Sequence, residues 1–69
     1  MNPIKMTSKV LPAEHVTAMC KAMRAVPAFT VTRTRDTVIA THATRGEIYR
    51  ALRGRNGLWL IRHAADLFE

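Results

Sequence analysis

The chain has 69 residues, one domain's worth, with 11 lysines and arginines against 5 aspartates and glutamates and a net charge of +6. A domain this small hides only roughly 60% of its unfolded surface from water and commonly leans on disulfides, a metal or a second subunit. Cys20 is the only cysteine, which excludes an intrachain disulfide and suits a reducing, cytoplasmic setting.

The longest apolar run, Leu58-Trp59-Leu60-Ile61, is far short of the ~20 residues a membrane-spanning helix requires. The first ten residues lack the apolar centre of a signal peptide, so neither export nor insertion is expected. Met1 to Lys9 has no hydrophobic period and includes Pro3, Thr7 and Ser8. Residues 1–10 therefore read as a loose leader, and residues 11–69 as a single domain.

From Pro12 to Val26 the spacing predicts an amphipathic helix. Val16, Met19, Cys20, Met23 and Val26 form one apolar stripe, with Glu14, Thr17, Lys21 and Arg24 on the other side. Pro12 fits a first turn, where its missing N–H would be unpaired in any case. Pro27 disfavours helical geometry at Val26 and ends the element.

Beyond Pro27 the period changes to two. Phe29 to Arg35 alternates and is rich in β-branched residues, and Thr37 to Ala43 follows across a tight turn at Arg35-Asp36. The pair reads as a hairpin. Thr44 to Arg53 admits two readings. Thr44-Arg-Gly-Glu47 fits a helical capping box, whereas Glu47 to Arg53 also alternates as a strand. The strand is preferred because Asn56-Gly57, a strong hairpin signal, needs an antiparallel partner just upstream of Leu58 to His63. The expected fold is α+β: one N-terminal amphipathic helix packed on a four-stranded antiparallel β-meander.

Counting Asn56-Gly57 as a two-residue turn sets Ile48 and Leu52 on the face of Trp59 and Ile61. Val16, Met19, Met23, Val31 and Val38 would complete that core. The opposite face then carries Ile39, Tyr49, Leu58 and Leu60, and an apolar surface there calls for a homodimer or a partner protein. Ile39, Leu58 and Leu60 are the expected patch. In the tail, Leu67 and Phe68 suggest docking against the domain.

No constellation for catalysis emerges. Ser8 lies in the leader, and Cys20 sits on the apolar stripe, where a thiol behaves as a small hydrophobe. His15, His42 and His63 lack the close spacing of a zinc site, so no metal or other cofactor is expected. Glu14, Asp36, Glu47, Asp66 and Glu69 are spread over different elements, with no two paired for acid–base work. Gly46, Gly54 and Gly57 punctuate turns and form no phosphate-cradling loop. A non-enzymatic protein with no small-molecule substrate is expected.

Arginine is what remains. Arg33, Arg35, Arg45, Arg50, Arg53, Arg55 and Arg62 all fall in the strand region, opposed there only by Asp36 and Glu47. Guanidinium forks suit phosphates and carboxylates, and Tyr49 would add a stacking surface for bases. These eight residues are the expected contact set, for nucleic-acid phosphates first and for an acidic protein surface as the alternative, with phosphate contact favoured over base readout. In size and in lacking a catalytic site the chain also resembles small accessory proteins of phages and mobile elements, including anti-CRISPR and host-takeover proteins. That resemblance implies direct binding to a host protein complex, so as to inhibit or modulate it.

Overall fold

The computed structural model describes residues 5–67. Its elements are β1 (Met6–Pro12), α1 (Ala13–Arg24), β2 (Phe29–Arg33), β3 (Thr37–His42), β4 (Gly46–Arg53) and β5 (Leu58–Ala64). The strands form one sheet in the order β1-β5-β4-β3-β2, with every neighbouring pair antiparallel. The protein is thus a small α+β domain, with one helix against a five-stranded sheet.

The fifth strand corrects the expected leader. Residues 6–10 belong to β1, which pairs with β5 from Met6↔Ala64 through Pro12↔Leu58; residues 1–4 lie outside the described part. The cause is the outer flank of β5, an apolar strand whose backbone groups would otherwise lie open at an edge. β1 closes that flank. It then becomes the edge itself, and its polar Ser8 and charged Lys9 suit that position.

Pro12 ends β1 in extended geometry (φ −71°, ψ 162°) and is the N-cap of α1, with no side-chain cap bond. Glu14 in the first turn and Lys21 and Arg24 in the last suit the helix dipole. The helix ends at Arg24, slightly before the expected Val26, and Val26 is exposed rather than part of the stripe. Val16, Cys20 and Met23 are buried, and Met19 is partly so. They meet Val38, Ala40, Tyr49, Ala51, Trp59 and Ile61 from the sheet.

Two local features decide which side chains reach that core. In the β4–β5 hairpin Arg53 lies opposite Trp59, and the Gly54 N–H donates to the Leu58 carbonyl at 2.7 Å. The loop is therefore the three residues Arg55-Asn56-Gly57, with Gly57 at φ +74°. Three-residue loops of this kind put glycine in the left-handed position. A Cβ on Gly54 would stand 2.8 Å from the Leu58 oxygen, so that close approach also requires glycine.

Relative to a two-residue turn, this register slips by one residue, which transfers every side chain of one strand to the other face. Leu52 consequently lies opposite Leu60, away from the helix, and Tyr49 lies opposite His63, on the helix side. Both expected assignments are reversed.

The second feature is a bulge. Ala40 pairs with Tyr49 while Thr41 pairs with Glu47, leaving Ile48 as the extra residue. Ile48 and Ala64 are buried but stand outside the main core cluster. At the C-terminal side Leu67 packs against the core; Phe68 lies outside the described residues.

Candidate binding face

The helix covers one side of the sheet, and antiparallel register assigns the other side residue by residue. One row across that outer side reads Val10, Leu60, Leu52, Thr37; the next reads Ser8, Arg62, Arg50, Ile39, Thr32. Pro12 and Leu58 flank the first row. Val10 is 59% exposed, Leu60 51%, Leu52 44% and Leu58 42%. Four aliphatic side chains thus stand together in water on one face, a grouping of the kind found at contact surfaces.

The expected apolar patch of Ile39, Leu58 and Leu60 falls on this face, joined by Leu52 and Val10. A two-residue turn would place Leu52 in the core and a loose leader would take in Val10; the three-residue loop and β1 put both on this face. A signal for Val10 existed in the pair Val10-Leu11, which places one apolar residue on each side of an extended strand. It was hidden by the polar residues before it.

The arginines do not gather in one place. Arg50 and Arg62 face each other across β4 and β5 on the outer side. Arg33 and Arg53 belong to the helix side: Arg33 pairs in register with Val38 and Arg53 with Trp59. Arg33 Nη1 donates to Thr17 Oγ1 of the helix at 3.3 Å. Arg35 and Arg55 occupy the β2–β3 and β4–β5 turns at one end of the sheet, and Arg45 the β3–β4 turn at the other.

Several are opposed by carboxylates. Arg45 Nη2 donates to Asp66 Oδ1 at 2.8 Å, and that bond holds the Asp66 carboxyl below the usual carboxylate range. Arg50 Nε donates to Glu47 Oε1 at 2.6 Å, and Arg53 Nη1 lies 4.0 Å from Asp36 Oδ1. All three pairs are solvent-exposed, so each is worth little in stability; their effect is to reduce the charge each arginine presents.

Tyr49 is no stacking surface. It has no exposed area and sits among the core residues, a correction that follows from the register of β4. Its hydroxyl has no hydrogen-bond partner among the described residues. Burial pushes its pKa up to about 12; the Cys20 thiol adds to the rise and the Arg33 guanidinium opposes it. Trp59 is buried as well, so the outer face offers no aromatic ring from β4 or β5.

His42 and His63 make local contacts. His42 Nδ1 accepts from the Thr44 and Arg45 backbone N–H groups at 3.2 and 3.3 Å, fastening the β3–β4 turn. His63 is buried, with Nδ1 2.7 Å from the Ala64 carbonyl oxygen. Within the outer face a concavity of about 390 Å³ is lined by Met6, Glu47, Arg50 and Arg62.

The class these features define is a small α+β domain with a helix on one side of an antiparallel sheet and a partly exposed, mixed apolar and cationic face on the other. No protein-family model, curated protein or solved structure matches the chain. Among the described residues no helix is long and apolar enough to cross a membrane.

Proposed function

We propose that this chain is a non-enzymatic binding protein that docks on another protein through the outer face of its sheet. The observation that carries this reading is the contiguous row of half-exposed Val10, Leu60 and Leu52, with Leu58 beside it. Water-exposed aliphatic groups standing together are costly to solubility and gain free energy when a partner removes them from water, at about 25 cal/mol per Å². Arginines bordering such a patch supply orientation and specificity more than bulk affinity. Inhibition or modulation of a larger protein complex is the form of action that fits a domain presenting one such face.

The test is a Leu60→Asp variant. Its side chain points away from the core, so the variant should fold with an unchanged circular dichroism spectrum. Co-purification from the native cell should recover a partner with the unaltered chain and lose it with the variant. Equal recovery by both would reject the face. A second copy of the chain is one partner this face suits, and sedimentation of the purified protein, compared with the same variant, reads that case directly.

A second reading keeps nucleic acid as the partner. It is favoured by the net charge of +6 and by Arg35, Arg55 and Arg62, which have no ion-pair partner among the described residues. Phosphate contacts release counterions, so duplex affinity should fall linearly on a log–log plot against salt, with a slope near −0.9 per phosphate neutralised. Binding that vanishes near physiological salt would reject this role.

A further inference from the structure

We infer that the concavity between Arg62, Arg50, Glu47 and Met6 is a carboxylate pocket, built to receive an aspartate or glutamate side chain of the partner protein. The inference rests on the protein-docking reading and names the chemistry of the group that enters.

Arg50 and Arg62 are direct cross-strand neighbours, and like charges so placed destabilise a sheet unless something neutralises them. Within the chain the neutralisation is partial. Glu47 takes the Nε–H of Arg50 at 2.6 Å, while the Arg62 guanidinium has no hydrogen bond or ion pair among the described residues. The terminal nitrogens of Arg50 are not used in that bond. Two guanidinium groups and one carboxylate leave the lining with one unmatched positive charge.

The shape and surroundings select among anions. The concavity measures about 390 Å³ and has an apolar wall at Met6. Ser8 stands opposite Arg62 in register, adding a hydroxyl donor to the same row. The next row is the aliphatic stripe of Val10, Leu60 and Leu52. A single carboxylate matches the unmatched charge and brings aliphatic neighbours for the stripe. A phosphate backbone brings more negative charge against Glu47 and sugars against leucine. Guanidinium groups grip a carboxylate through paired N–H donors, which makes Arg62 the anchor.

The experiment is a titration of the full chain, followed by NMR of backbone amides and arginine Nε–H groups. The probes are a capped peptide of alternating leucine and glutamate, the same peptide with glutamine for glutamate, and oligothymidylate. The glutamate peptide should give saturable shifts at Arg62, Arg50 and Leu60. The glutamine peptide should bind about tenfold or more weakly, as should the glutamate peptide to Arg62→Ala, because a charge-assisted hydrogen bond is worth about 1.5–3 kcal/mol. Arg62 is exposed, so the variant should keep the native spectrum.

Equal binding of both peptides, with shifts at Leu52 and Leu60, would overturn the carboxylate pocket and leave the docking face standing. Absence of shifts anywhere on the outer face with either peptide would overturn both. Saturable shifts at Arg62 stronger with oligothymidylate than with the glutamate peptide would also overturn both and assign the pocket to phosphate.

Discussion

The two faces of the sheet are made by the same strands, yet they behave as different materials. β5 sends Trp59, Ile61 and His63 toward the helix, where they are buried, and Leu58, Leu60 and Arg62 toward water, where they are exposed. Small residues such as Ala40 and Ala51 lie on the covered side with no exposed surface, while larger leucines stand in solvent on the other. Apolar character therefore does not mark the core of this protein; coverage by α1 does. A leucine in water contributes little to the fold, and under the proposed function a partner covers it.

Deleting residues 1–10 is the most severe way to break this comparison. It strips β5 of most of its β1 partner and opens an apolar edge in a domain with only a few kcal/mol in reserve. Loss of cooperative unfolding, or aggregation on size-exclusion chromatography, is expected; an unchanged melting curve would return the segment to a leader.

Neighbouring substitutions in β5 sharpen the contrast. Ile61→Ala should cost about 2–5 kcal/mol as a core truncation, and Leu60→Ala about 0.5 kcal/mol or less as a surface change, both read by urea denaturation. Similar costs at the two positions would erase the distinction between the faces.

Tyr49 tests the covered side by pH. Its folded-state pKa is raised from 10.0 to about 12, so the neutral phenol is favoured by folding. The associated stability is complete below pH 10 and lost as pH rises toward 12, amounting to about 3 kcal/mol at 1.4 kcal/mol per unit. Tyr49→Phe should remove this alkaline loss, and at neutral pH it should be neutral or slightly stabilising, since the hydroxyl is buried without a partner among the described residues. An identical alkaline transition in the variant would reject Tyr49 as its source.

The smallest of these structural tests addresses the turn that sets the register. Gly57 has φ +74°, and Gly57→Ala should cost about 1–2 kcal/mol from left-handed strain. A denaturation midpoint identical to the unaltered chain would mean that the turn relaxes and does not enforce the register.

Much of the architecture was legible because its signals are local. The stripe of Val16, Met19, Cys20 and Met23 specifies a helix whatever lies beside it, and the alternation after Pro27 specifies strands. The tight turn between β2 and β3 was legible, since Arg35-Asp36 leaves only two residues for it, and the Thr34 N–H donates to the Thr37 carbonyl across it at 2.8 Å. The β4–β5 hairpin was not, because Asn56-Gly57 also serves a three-residue loop, and that single residue moved Tyr49 into the core and Leu52 out of it. The arginine set was legible as composition, whereas its division among two faces and two sheet ends was not.

The sequence by itself determined that one amphipathic helix is followed by two-faced strands carrying most of the arginine, because side-chain periodicity is written within each segment. Only the tertiary structure decided that Met6–Pro12 closes the flank of β5, that Ile48 is the extra residue of a bulge, and which alternate residues of β4 meet the helix. The reason is physical. Alternation states that a strand has two faces, but which face is buried depends on loop length and on partners distant in the chain.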